Sequence, residues 1–245
     1  MELVPRPASG RTYSTNRRVR LGDVSPSGRL RLDAVARYLQ DIANDDARDA
    51  KLPAFMSWVV RRTDIDVTTP CVFLDEVTVT TWCSGAGSHW AERRYQITSP
   101  GGGLIDAATI WVAIDDASGR PVRLVDEFLG IFGEAMNGRR VSARLTLPAP
   151  AINAPSAPWV ARFSDFDALG HVNNSVAWAV VEEVLAERRD LRSGRFQARI
   201  EYGDGILPGS NTRLVTQDVN DGVNAWVTVD GAVRLAAAII ALHSA

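Results

Sequence analysis

Cysteine is nearly absent from this chain. Cys71 and Cys83 are its only two among 245 residues. Both fall in strand-like segments, and their spacing fits neither a metal site nor a redox motif, so both read as reduced packing residues. No stretch approaches the roughly 20 apolar residues of a membrane span. The opening MELVPRPASGRTYSTNRR holds no apolar run of signal-peptide length, so the expected location is the cytoplasm, with no membrane partner. Strong charge is missing as well: a net −2 gives no global pull toward nucleic acid. Gly101, Gly102 and Gly103 read as a hairpin turn with no Lys-Ser/Thr behind them, which excludes a phosphate loop. No metal, nucleotide or flavin cofactor is expected.

What is there has the balance of a globular protein, 46% hydrophobic and 23% charged. The length leaves one large domain or two of about 120 residues open. Arginines recur in pairs, at Arg17/Arg18, Arg61/Arg62, Arg93/Arg94, Arg139/Arg140 and Arg188/Arg189. Each pair reads as a solvated face that an acidic partner could use.

Residues 164–174 read SDFDALGHVNN, just ahead of a helix-like segment. Asp, Asn and Ser cap orphan N–H groups at a helix start, and Gly permits a tight turn, yet the cluster is denser than capping requires. Residues 22–43, GDVSPSGRLRLDAVARYLQDIA, align to residues 164–185 without gaps at an offset of 142, so that Asp23 meets Asp165 and Gly28 meets Gly170. Beyond the glycine both segments carry apolar residues at helical spacing: Leu32, Val35, Ala36, Leu39 and Ala43 in one, Val176, Ala177, Val180, Val181 and Val184 in the other.

Downstream of each helix come runs rich in Val, Ile, Thr and Trp, broken by turn residues. In the first half these are SWVVRRTDIDV, EVTVTTWC, HWAERRYQIT and LIDAATIWVAID; in the second, FQARIEY, NTRLVTQDV, VNAWVTV and AVRLAAAIIAL. Between the halves, TLPAPAINAPSAPW has four prolines and suits an extended linker. The predicted fold is α+β, a tandem (double) hotdog with two curved antiparallel β-sheets, each wrapped around a long central α-helix. The expected division is an N-terminal tail at 1–15, a first domain at 16–145, a Pro-rich linker at 146–159 and a second domain at 160–245.

The sequence resembles the fatty acyl-ACP thioesterases of the plant and bacterial double-hotdog family from about residue 18 to near the C-terminus. The resembling stretches are RLDAVARYLQDIANDDA, SWVVRRTDIDVTTPCVFLDEVTVTTWCSGAGSHWAERRY, AATIWVAID, RFSDFDALGHVNNSVAWAVVEE and IEYGDGILPG. In the plant enzymes the active-site string is Asp-x-Asn-x-His, which falls here on Asp167, Leu169 and His171, so its asparagine is absent. The family's acid beyond the L-E-Y strand falls on Gly205, with Asp204 beside it, and a proposed cysteine nucleophile falls on Ile206. The string is also similar to the hydroxybenzoyl-CoA type of hotdog thioesterase. That resemblance implies that Asp167 does the chemistry and that the Asn174 N–H binds the oxyanion. Ser25 and Arg29 stand in the first half where Asp167 and His171 stand in the second, which implies one active site per chain.

Thioester hydrolysis needs a nucleophile or a base for water, a site for the developing oxyanion, and departure of a thiol. One carboxylate and an oxyanion hole suffice for so good a leaving group. The candidate catalytic residues are Asp167 as base or nucleophile; His171 to orient it, hold water or protonate the thiol; Asn173 and Asn174 for water, pantetheine amides and the oxyanion; and Glu183 as a second base. Asp165 reads as a turn or cap residue. Gln40 and Asp41, the first-half counterparts of Glu182 and Glu183, read as interface polars, and Asn44, Asp45 and Asp46 as a solvated helix end. The candidate acyl pocket is Trp58, Val60, Trp82, Trp90 and Trp111, with Phe55 and Met56; His89 and His243 read as structural. No metal ligand is assigned. The expected partners are an acyl-ACP or acyl-CoA thioester and acyl carrier protein, with no nucleic acid, for a monomer acting as a pseudo-dimer or for a homodimer. An acyl-CoA thioesterase, a hotdog dehydratase or hydratase, and a noncatalytic acyl-ligand binder remain the alternatives.

Overall fold

Alternation of apolar and polar residues sets the strands of this chain, and apolar stripes at three and four residues set its helices. The computed structural model describes residues 4–52 and 56–242; Phe55, the side chain of Met56 and His243 lie outside the described residues. The first half comprises β1 (Thr12–Arg18), α1 (Leu32–Asp49), β2 (Met56–Thr69), β3 (Glu76–Ala86), β4 (Trp90–Thr98), β5 (Leu104–Asp115) and α2 (Asp126–Met136). The second comprises β6 (Ser156–Pro158), α3 (Ala177–Glu187), α4 (Arg189–Arg192), β7 (Phe196–Tyr202), β8 (Thr212–Val219), β9 (Gly222–Val229) and β10 (Ala232–Ala241).

The strands run in the order β1-β3-β4-β5-β2-β7-β10-β9-β8-β6, so each half contributes five neighbouring strands. The two curved sheets expected from the sequence join edge to edge where β2 pairs antiparallel with β7, from Arg62 opposite Glu201 to Val67 opposite Phe196. This is the α+β double hotdog. Inside it α1 packs against α3, and Leu32, Ile42, Ile65 and Phe196 are fully buried, each worth about 1.5–3 kcal/mol. None of the described helices is long and apolar enough to cross a membrane.

Several details depart from the sequence reading. β1 begins at Thr12, within the stretch read as a tail, and pairs along its length with β3. Helix α2 is an element the sequence did not announce; its Gly130 and Gly133 weaken the local helix signal. The second-half helix is shorter than the first, 11 residues against 18. It stops at Arg188, whose backbone leaves the helical region and whose guanidinium is held by Asp190 and Asp218.

The proline-rich segment is a strap across the outer face of the sheet. The Thr146 and Leu147 N–H groups donate to the Glu201 carboxylate at 2.8 and 3.0 Å, and the Trp226 indole N–H donates to the Pro148 carbonyl at 2.9 Å. Its end, β6, pairs with β8 as an edge strand. Asp46 corrects the reading of a solvated helix end: it is 1% exposed and accepts bonds from Arg11 and Arg93. Asp45 does face solvent.

Candidate active site

The 142-residue repeat survives as matched hydrogen bonds. The Ser25 N–H donates to the Arg29 carbonyl at 2.8 Å and the Asp167 N–H to the His171 carbonyl at 3.0 Å. Gly28 and Gly170 close the same turn onto Ser25 and Asp167, at φ of 80° and 79°, where a side chain would be strained. Asp23 and Asp165 are both buried at the end of a 3-10 turn and accept the backbone N–H of Arg20 and Arg162 at 2.9 and 2.8 Å. Burial pushes the Asp23 carboxyl up, but the Tyr38 hydroxyl, the Arg20 N–H and the Arg37 guanidinium together bring it below the ordinary carboxylate value. Asp165 is thus a turn residue, which leaves the next acid along as the candidate.

That acid, Asp167, is oriented by two donors. The Leu169 N–H reaches Oδ1 at 2.9 Å and the Asn173 carboxamide donates Nδ2–H to Oδ2 at 3.0 Å. Leu169 itself is 79% exposed, and only its backbone is used. The carboxamide missing from position 169 is supplied to the acid by Asn173. Asn173 cannot turn round, because its Oδ1 accepts the Ser175 N–H at 2.8 Å and the Ser175 hydroxyl at 2.7 Å. The Asn174 carbonyl is held by the Tyr202 hydroxyl at 3.2 Å, which also accepts the Trp178 indole N–H at 2.9 Å. Burial raises the pKa of that hydroxyl, so it stays a donor. Among the described residues nothing accepts the Asn174 N–H, in the turn that leads into α3, on the side of the helix where the dipole favours negative charge.

Asp167, Leu169, Asn173 and Asn174 form one end of a cleft of about 370 Å³ whose other walls come from the first half. Helix α1 contributes Gln40, Ala43, Asn44 and Ala47, spaced at three and four residues. The sheet and α2 add Trp58, Cys83, Ala91, Arg93, Trp111 and Phe128. Arg93 is neutralised by Asp46 and lies over the Phe132 ring, 5.3 Å from its centroid. Val60 lines a small void beside the cleft, shared with Gln40, Trp111 and Asn174.

Of the five residues read as acyl pocket, Trp82 and Trp90 lie elsewhere, and strand register explains why. Trp111 pairs with Ala91 and Cys83 with Arg93; cross-strand partners share a face, so Ala91, Arg93 and Cys83 face the cleft. Trp90 and Trp82, one residue away, point to the other side. There the Trp90 indole N–H donates to the backbone carbonyl of Val141, ahead of the strap, at 2.9 Å. Trp82 is buried, with no partner for its indole N–H among the described residues.

The structure does not gather all the other candidates either. His171 is exposed, and its ring lies on Gly205: a Cβ there would come within 2.3 Å of the imidazole. Its link to Asp167 is through its backbone carbonyl. Glu183 faces solvent on α3 and does not line the cleft. Asp204 pairs with Arg234 at the surface. The partly buried helix acid is Glu182, which is committed to the first half. Its Oε1 accepts the Leu32 N–H at 2.6 Å and its Oε2 meets the Arg29 guanidinium at 2.5 Å. Leu32 is the counterpart of Asn174 at the same offset, so Glu182 plugs the twin of the open N–H. Arg93 and Arg94 are buried, which removes that pair as a docking face. Arg17, Arg18, Arg139 and Arg188 are each paired to a carboxylate.

Both cysteines are buried and free, and burial pushes each thiol up to about 11. Cys83 therefore lines the cleft as a neutral apolar group, since the thiolate is the nucleophile. Ellman's reagent at pH 8 is expected to find neither thiol within minutes in the native protein and both after unfolding. Rapid labelling of the native Cys83 would show that the cleft wall is open.

Fold and site together place the chain among the double-hotdog thioesterases. Residues 10–132 match the acyl-ACP thioesterase N-terminal domain and residues 153–234 the acyl-ACP thioesterase C-terminal domain. The chain belongs to the acyl-ACP thioesterase family. It is similar to an uncharacterized protein of Mycobacterium tuberculosis, 32% identical over 238 residues, covering 97% of this chain and 95% of that one. Its fold is similar to a 12:0-ACP thioesterase from Umbellularia californica, at TM-score 0.76 and 19% identity over 94% of this chain and 96% of that one. An acyl-ACP thioesterase from Bacteroides thetaiotaomicron gives TM-score 0.76 and 19% identity over 94% and 97%.

Proposed function

We infer that this protein releases fatty acids from acyl-ACP in the cytoplasm, with Asp167 as base or nucleophile and the Asn174 N–H as oxyanion donor. One observation carries the reading: an oriented carboxylate and an unengaged helix-start N–H open onto the same largely apolar cleft. Its volume of about 370 Å³ falls in the range of small-molecule sites, about 300–1,000 Å³. With the acyl chain lying toward Trp58, Trp111 and Phe128, the thioester carbonyl meets Asp167 and Asn174. Asp167 either takes a proton from water that attacks the carbonyl or attacks it directly, giving an anhydride that water opens. In both routes the C–S bond breaks, the thiolate leaves with its electron pair and is protonated, and the oxyanion charge rests on the Asn174 N–H.

The test is thiol release from acyl-ACPs and acyl-CoAs of graded chain length. Turnover with the higher kcat/KM on acyl-ACP is expected. A higher value on CoA makes the protein an acyl-CoA thioesterase, and tight acyl binding without thiol release makes it a noncatalytic acyl binder.

A further inference from the structure

The plugged twin site shows what the open site is missing. At the first-half site, the residue that reaches from the opposite helix onto the helix-start N–H is Glu182, bonded to the Leu32 N–H at 2.6 Å and compensated by Arg29. At the offset of 142 its counterpart is Gln40 on α1, and the counterparts of Leu32 and Arg29 are Asn174 and His171. Gln40 and Asn174 both line the main cleft and the small void beside it. Among the described residues nothing bonds the Gln40 carboxamide, whereas Glu182 is held at both oxygens. The chemistry of the exchange is one-sided. A carboxylate at position 40 would fill the Asn174 N–H, stand beside the Asp167 charge and lack the guanidinium that balances Glu182. A neutral amide leaves the N–H open and adds a donor of its own.

We propose that Gln40, contributed by the first half to the site of the second, is a catalytic residue that donates Nε2–H to the thioester oxygen bound at the Asn174 N–H. The assignment rests on the thioesterase reading above. As the tetrahedral intermediate forms, the oxygen gains negative charge, and a second donor strengthens with it. Sequence alone reads Gln40 as an interface polar, because its role depends on a turn–helix unit more than a hundred residues away.

The experiment measures kcat, KM and their pH dependence for wild type, Gln40→Ala, Gln40→Met, Gln40→Glu and Asp167→Asn on an acyl-ACP, with circular dichroism to check folding. Loss of the donor in Gln40→Ala and Gln40→Met is expected to lower kcat about a hundredfold, the scale of one oxyanion donor, with KM within about twofold. Gln40→Glu is expected to be poorly active at pH 8 and to regain activity as pH falls, because protonation frees the Asn174 N–H. Repulsion from Asp167 raises the pH at which that happens. A structural role would not invert the pH profile. Folded Gln40→Ala and Gln40→Met enzymes within about threefold of the wild-type kcat, far short of one donor's worth, overturn this assignment, as does Gln40→Glu with the wild-type profile. A wild type that releases no thiol overturns the thioesterase reading and this assignment together, whereas loss of activity in Asp167→Asn alone overturns only Gln40.

Discussion

Asp167→Asn is expected to lose a hundredfold or more in kcat, at least about 2.7 kcal/mol of transition-state stabilisation, with KM little changed. The substitution keeps the size of the side chain and removes its charge and its basicity. It has a further consequence that the geometry makes specific. The Leu169 N–H finds an oxygen as before, but the new amide NH2 then faces the Asn173 NH2, which Ser175 holds from the other side. Two donors meet, at a cost of about 1–3 kcal/mol. A lower Tm is therefore expected together with the lost turnover, and kcat is compared at a temperature where both proteins are folded. Asp167→Ala removes the clash between donors and serves as the control: it is expected to lose kcat to a similar extent. A folded variant that keeps more than about a tenth of the wild-type kcat, far above what losing a base or nucleophile leaves, would remove Asp167 from the chemistry.

The second large effect concerns stability. Asp46→Asn leaves Arg93 buried in the cleft wall without its counter-charge and also unties Arg11, whose guanidinium meets Asp46 at 2.7 Å. Breaking a buried pair from one side costs about 3–5 kcal/mol, more than the pair itself contributes, because a charge is stranded. The expected observation is a lower denaturant midpoint with an unchanged slope. Replacing both partners, as Asp46→Asn with Arg93→Met, is expected to recover much of the loss, since Met fills the same apolar wall without a charge. A single variant destabilised by less than about 1 kcal/mol would mean that Arg93 finds water or another acceptor there, as a surface pair would allow.

Local signals carried most of this fold. The run LIDAATIWVAID is β5 from end to end, and FQARIEY is β7, because alternation and turn residues act within a few positions. The repeat was legible for a similar reason: Asp23, Gly28, Asp165 and Gly170 do their work inside a short loop. What escaped depends on distant partners. Glu182 and Glu183 are neighbours of one type, and only the packing of α1 on α3, which brings Arg29 and Leu32 within reach, separates the paired acid from the exposed one. Asp46 reads as an exposed helix end until Arg11 and Arg93 arrive from the N-terminal segment and β4. For the tryptophans, alternation defines two sets of residues but does not say which set meets the helix. The strand register made that choice, keeping Trp58 and Trp111 in the cleft and sending Trp82 and Trp90 away.

The covalent joining of the halves has a consequence for inheritance. In a dimer of identical chains every substitution is made twice, once on each side of the two-fold axis. A glutamate that sealed one helix-start N–H would then seal both, and a wall widened for an acyl chain would be widened at both sites. Because β2 and β7 meet within one polypeptide, position 40 and position 182 mutate independently. One half can give up chemistry and specialise in holding the substrate while the other keeps the acid.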